Sequence, residues 1–315
     1  MKAAPSVLYD EPGPKARRRI RQGSAVAYAL LLAVLVAVVV RLADAGQFTA
    51  EKWDPLASPG NESFDALWNV LGTGLQRTLV AAAVAIGCSL VVGTAIGVLR
   101  LNLGRVARMP LVAAMEVVRG IPVVITIYFA SRVLPDLGLT FADAPGGRFL
   151  WYLVIGLTAY NAVIIAELVR TGVESLPRGQ REAALAIGLT RWQTLRLILL
   201  PQAFRVMLPS LISQIVVILK DTSLAALILG QYQELLRASN LAAQQLDNPI
   251  PMFLVTGAIY VAINWLLSKL AEYAERRGGR RERERRSAST AKGGKNPSAG
   301  ERGGAKQVDL VDQTN

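Results

Sequence analysis

Six apolar runs constrain this chain more than anything else in it. They cover residues 24–42, 72–99, about 110–132, about 149–169, about 202–229 and 252–270. At 1.5 Å of rise per residue, each is long enough to cross a hydrocarbon core of about 30 Å as a helix. Lipid offers the backbone no hydrogen-bond partner, so a crossing run must satisfy its own amides. That predicts an all-α integral membrane fold with six transmembrane helices. A chain of 315 residues would otherwise suggest about two soluble domains. Composition argues against that, because 52% of residues are hydrophobic and only 18% are charged, where soluble domains carry about 25%.

The first run competes with a signal peptide, whose apolar region spans about 7–15 residues. Run 24–42 is longer and further spans follow it, so a retained helix is expected. The connections then give the orientation. With the N-terminus inside, the inside segments are 1–23, 100–109, 170–200 and the C-terminal tail, each with more Lys and Arg than Asp and Glu. The outside segments 43–71, 133–148 and 230–250 each carry more acid than base. Every segment obeys the positive-inside rule, which places both termini in the cytoplasm.

Net charge is +12, but the basic residues sit in tails and short connections rather than on a folded basic face. No nucleic-acid partner is expected. With no histidine and the single Cys88, there is no internal disulfide, no ordinary zinc ligand set and no Ser/His/Asp triad. No phosphate-binding G-x-x-x-x-G-K-[ST] loop is present. The chain is therefore expected to have no catalytic residues, no metal site and no cofactor of its own. If ATP is used, another chain binds it.

Outside the membrane, residues 1–23 form a basic cytoplasmic tail. Residues 43–71 form an extracellular loop in which Phe64, Leu67, Trp68 and Leu71, at helical spacing, predict a short interfacial helix. From 273 to 315 the composition turns to Gly, Arg, Glu, Ser and Lys, which predicts a disordered cytoplasmic tail. Its Arg276, Arg277, Arg280 and Arg281 face either anionic membrane lipid or water.

Ionisable groups inside the spans are costly and face protein or water. Glu116 and Arg119 are three apart, as are Glu167 and Arg170, and both spacings allow a local ion pair. Lys220, Asp221 and Thr222 lie deep in the fifth run. Adjacent residues on a helix diverge, so either the helix breaks there or each group finds a partner elsewhere. They line a substrate path or form a structural pairing. Asn161 and Gln214 add uncharged polar groups.

The connection 170–200 carries five arginines and two glutamates. A helix is expected from Gly179 to Ile187, closed by Gly188 as a left-handed cap, with Thr190 capping a second helix from Arg191 to Leu200. Small alanines on one face let another protein approach, and an amphipathic connector lying on the membrane is the alternative.

Within it, Glu182-Ala183-Ala184, three residues, Gly188, nine residues, Ile198, one residue and Leu200-Pro201 resemble the EAA loop of ABC importer membrane subunits. Glu116-Val117-Val118-Arg119-Gly120-Ile121-Pro122 resembles the E-x-x-R-G-T-P segment of the polar amino acid permeases, with Ile121 in place of Thr. Ala166-Glu167-Leu168-Val169-Arg170-Thr171-Gly172 resembles their A-E-x-x-R-x-G, and Leu219-Lys220-Asp221-Thr222-Ser223-Leu224 their L-K-D-T-S-L. Among these permeases the chain looks most like the glutamate-type ones of high-GC Gram-positive bacteria.

The resemblance implies a multi-pass permease of the bacterial cytoplasmic membrane. Residues 72–272 would be a five-helix type I ABC importer core, with 24–42 an extra transmembrane helix in front. It also implies a cytoplasmic ABC ATPase dimer that uses ATP and Mg, a second permease subunit (a sister chain or a second copy) and an extracellular amino-acid-binding protein. Loop 170–201 would couple to the ATPase through Gly179, Gln180, Glu182, Ala183, Ala184, Gly188, Leu200 and Pro201. The candidate substrate path comprises Glu116, Arg119, Asn161, Glu167, Gln214, Lys220, Asp221 and Thr222. An ion-coupled secondary amino acid transporter is the competing function, but no obvious inverted repeat supports it.

Overall fold

The computed structural model describes residues 13–293, and the outer parts of both expected tails, 1–12 and 294–315, lie outside the described residues. Among the described residues every regular element is helical. Five helices are long and apolar enough to cross a membrane, and a sharply bent pair makes a sixth if it counts as one span.

Helix α1 (Pro14–Asp44) contains the expected extra span and buries none of its residues against the rest of the chain. Pro14 suits its first turn, where a missing N–H costs nothing. Helix α2 (Ala50–Ala57) is short, and α3 (Phe64–Asn102) is long. The interfacial helix expected at 64–71 is the start of α3 rather than a separate element. Leu67 and Leu71 are buried with Leu56, Leu235 and Met252 in one apolar cluster. Trp68 donates to the Leu56 carbonyl at 3.2 Å. Protein therefore covers the Leu67 and Leu71 face, while Trp68 stays 39% exposed.

The third run, expected as one span over about 110–132, is broken. Helices α4 (Arg105–Gly120) and α5 (Val123–Asp136) meet at 103°. Pro122 explains this, because a residue before proline is pushed out of the helical region and Ile121 lies at φ −92°, ψ 130°.

Helix α6 (Arg148–Glu174) is the most buried span. It packs against α3, α5 and α9 (Leu200–Asp221). Glycines permit the closest approaches. A Cβ on Gly93 would lie 2.7 Å from the Ala162 carbonyl and the Ile165 Cβ, and one on Gly97 would lie 2.8 Å from the Val169 Cβ. Gly156 of α6 meets the Ile127 backbone of α5 in the same way. Backbones this near gain dispersion that larger side chains would forbid.

After α6 come α7 (Arg178–Ala186), α8 (Arg191–Gln193), a π-helical turn (Thr194–Leu199) and α9. A 3₁₀ turn (Thr222–Leu224) leads to α10 (Ala225–Ile228), α11 (Leu235–Gln245) and α12 (Pro249–Gly293). The segment from 273, expected as a structureless tail, is helical as far as residue 293. Its Arg, Glu and Ala content favours helix locally.

The chain divides into two units, residues 1–267 and 268–315. In the second, Lys269 and Glu272 pair at 3.0 Å. Side chains at 276, 277, 280 and 281 lie outside the described residues.

Glu234, which the sequence does not single out, is fully buried at the start of α11. Its carboxylate accepts from the Leu236 and Arg237 amides and from the Tyr260 hydroxyl. Burial pushes its pKa above the usual glutamate range, and those hydrogen bonds pull it partly back. A carboxyl raised in the folded state contributes stability that is full below its ordinary value and lost as pH rises through the raised one. The thermal midpoint of the detergent-solubilised protein is therefore expected to fall as pH rises above the ordinary glutamate range. Glu234→Gln, which cannot titrate, should flatten that slope.

Candidate functional site

The loop between α6 and α9 is built by local rules. Gly188 has φ +87°, a left-handed conformation that side chains with a Cβ rarely adopt. The Leu189 amide donates to the Ala184 carbonyl at 3.2 Å and the Gly188 amide to the Leu185 carbonyl at 3.0 Å. These two bonds form the Schellman closure expected at this glycine. Thr190 then opens the next helix with a capping box. Its Oγ1 accepts from the Gln193 amide at 3.2 Å, and its own amide donates to the Gln193 side chain at 2.9 Å. Thr190→Ala is expected to cost about 1 kcal/mol of local helix stability. Faster amide exchange confined to the turns after Thr190 would report it.

The second limb is not uniform α-helix. Residues 194–199 take the wider π pattern just before Pro201. Proline has no N–H and its ring crowds the carbonyl four residues back, so the preceding turn opens. Gln202 donates to the Ile198 carbonyl at 2.9 Å and satisfies an acceptor there. The limb then runs into α9 without a loop.

The loop presents a mixed face. Gly179, Glu182, Ala183 and Gly188 are exposed, Gln180 and Leu200 are half-buried, Pro201 is exposed, and Ala184 is buried against the π turn. Leu185 and Ile187 are exposed, the latter 77%. A cleft of about 510 Å³ where α6 meets α7 is lined by Glu174, Leu176, Pro177, Arg178, Arg181 and Glu182, among others. The loop surface thus carries an exposed apolar pair beside charged side chains.

The intramembrane candidates separate into groups. Gln214 of α9 donates to the Asn161 Oδ1 at 2.6 Å, and Asn161, fully buried in α6, donates to the Leu157 carbonyl at 2.8 Å. Sequence separation hides this pairing. Glu116 and Arg119 form the local pair at 3.3 Å and remain about half exposed. Glu167 is engaged on both oxygens, by Arg170 as the spacing predicts and by Arg100 of α3 at 2.5 Å. That second partner carried no sequence signal beyond a cytoplasmic positive charge. Lys220 is exposed and Asp221 half-buried at the end of α9, and no ion pair to either is present among the described residues. The helix tightens into the 3₁₀ turn there, where buried Thr222 donates to the Leu219 carbonyl at 2.7 Å. No hydrogen bond among the described residues links Glu116 or Arg119 to the other groups.

A family model described as "Binding-protein-dependent transport system inner membrane component" matches residues 71–279. The chain belongs to that family. Among its relatives, the glutamate transport system permease protein GluD of Corynebacterium glutamicum is 37% identical over 244 residues, covering 75% of this chain and 83% of that protein. The probable glutamine ABC transporter permease protein GlnP of Bacillus subtilis is 32% identical, over 70% of this chain and 98% of that one. A solved amino acid ABC transporter chain superimposes with a TM-score of 0.60 at 23% identity, covering 68% of this chain and 97% of its own. That last likeness concerns the fold.

This member of the binding-protein-dependent transport family is thus an ABC importer permease, a multi-pass protein of the bacterial cytoplasmic membrane. It is a transport subunit rather than an enzyme, and in such systems the ATPase is a separate subunit. The family excludes the ion-coupled secondary transporter as the better reading.

Proposed function

We propose that the chain forms part of the translocation path for glutamate or a closely related polar amino acid, and that both termini are cytoplasmic. The loop 170–201 docks into a cytoplasmic ABC ATPase dimer that binds ATP and Mg. An extracellular binding protein delivers the cargo, and a sister permease completes the path. The observation that carries this is the loop itself, where a Schellman turn and a capping box hold two limbs rigidly and leave Glu182, Ala183, Leu185 and Ile187 exposed. Glu182 pairs with a basic group on the ATPase, and the apolar pair supplies the buried part of the contact. The relatives named for glutamate and glutamine support the cargo class.

On the path, the half-buried Gln214, held by the fully buried Asn161, and the exposed Lys220 at the α9 end are the groups open to a zwitterionic or anionic cargo. Glu167 already has two arginine partners. Seven residues from Gln214 to Lys220 span about 9 Å of helix axis, the scale of one amino acid.

Reconstitution with the ATPase, sister permease and binding protein tests the whole proposal. ATP-dependent uptake of labelled glutamate is expected, abolished by Glu182→Lys with the ATPase no longer co-purifying. Uptake that needs no ATPase would overturn the proposal.

A further inference from the structure

Arg100 is the last-turn cation of α3, and its environment sets it apart from the other loop arginines. Its Nη1 lies 2.5 Å from the Glu167 Oε2, and the side chains are only 14% and 25% exposed. Glu167 passes its other oxygen to Arg170, whose Nε donates at 3.1 Å, and Arg170 also pairs with Glu174. Four charges of alternating sign therefore run from α3 along the last turns of α6.

The chain of charges ends at the coupling loop. Glu174 lines the same 510 Å³ cleft as Arg178, Arg181 and Glu182. Only Ser175, Leu176 and Pro177 separate α6 from α7. Ser175 binds back to α6, with its amide on the Thr171 carbonyl at 2.9 Å and its hydroxyl on the Gly172 carbonyl at 2.8 Å. The link is short and tied down, so the first loop limb moves with the end of α6.

The ion pair is not needed to hold α3 against α6. The Gly97 and Gly93 contacts already do that, about one and two turns deeper. The buried Arg100 Nε also lacks an acceptor among the described residues, so the site is not optimised as a static staple. What the pair adds is a directional, charged tie at the cytoplasmic rim, where the glycine contacts have ended.

We propose that Arg100 is a positioning residue for energy coupling: through Glu167 it makes α3 follow the α6–loop body, so that displacement of the docked loop is passed to α3. This rests on the loop being the ATPase-docking element. A buried charge left unpaired is strongly unfavourable, so the tie holds as the helices shift.

The test uses the complete importer in proteoliposomes and reads cargo imported per ATP hydrolysed, alongside ATPase co-purification and the thermal midpoint of the complex. Arg100→Met removes the charge and keeps the apolar stem. It is expected to assemble normally and to lower cargo per ATP at least about fivefold. Arg100→Lys keeps the charge without the fork and should fall between the two. If Arg100→Met fails to assemble, Arg100→Lys decides: an intermediate ratio supports the proposal and a wild-type ratio overturns it. Uptake and hydrolysis falling together at constant ratio, with a lowered midpoint, would reduce Arg100 to a structural role and overturn it too. Glu182→Lys keeps the two readings apart. If it loses the ATPase while Arg100→Met keeps a wild-type ratio, the loop assignment stands and only the Arg100 inference fails. If it still binds the ATPase and imports normally, the loop assignment itself has failed.

Discussion

Gly93→Val is expected to leave little or no folded permease. Gly93 sits in the middle of α3 with ordinary helical geometry, so the backbone tolerates a side chain and only space forbids it. A Cβ there would meet the Ala162 carbonyl oxygen and the Ile165 Cβ at 2.7 Å. Neither neighbour is the free end of a long side chain. The carbonyl is part of α6 and the Ile165 Cβ is fixed to its backbone, so α3 and α6 must separate. Overpacking a well-filled site typically costs about 1–3 kcal/mol and occasionally more, and Val adds three carbons against backbone that cannot give way. Separation also weakens the Gly97 contact one turn along. Size-exclusion profile and thermal midpoint in detergent would check this, with Gly93→Ala intermediate and Gly87→Ala, where nothing lies within 4 Å, near wild type. A midpoint unchanged by Gly93→Val would mean that the close α3–α6 approach does not exist.

Gly188→Val should instead leave a folded permease that transports poorly. No atom lies within 4 Å of a Cβ at this position, so space is free and backbone conformation is the constraint. At φ +87° a non-glycine residue pays about 1–2 kcal/mol, and a β-branched one more. The turn relaxes by giving up the bonds from Leu189 and Gly188, which lets α7 swing away from the Thr190 cap. Uptake is expected to drop about tenfold or more if the docked face depends on that turn. The permease should keep its membrane level and its midpoint. Gly188→Asn makes the discriminating control, since asparagine tolerates left-handed geometry, and it should retain most uptake. Equal losses for Val and Asn would point to a need for small size at the docking face instead of a need for the turn.

The two glycines show where sequence reasoning reaches. Gly188 was legible because its role is local: an alanine-rich helix followed by glycine and then threonine spells a cap, a turn and a second cap within a few residues. The spans and the charge-biased connections were legible for the same reason, since hydrocarbon thickness and the cost of exposed amides act on each run independently. The third run reads as a single span despite its Gly120-Ile121-Pro122, so neither the break there nor its 103° angle was legible. At the start of α3, amphipathic spacing marks an apolar face but does not say that Leu56 and Met252 pack on it.

The sequence by itself determined the membrane class, the helical fold, the loop's two capped limbs and the local Glu116–Arg119 and Glu167–Arg170 pairs. Each depends on residues within a few positions of one another. Only the tertiary structure decided that Gly93 and Gly97 face α6, that Gln214 meets Asn161, that Glu234 is buried beneath Tyr260 and that Glu167 has a second partner in Arg100. Those contacts join residues from 26 to 72 positions apart, and helical periodicity says which face a residue occupies without saying which helix that face meets.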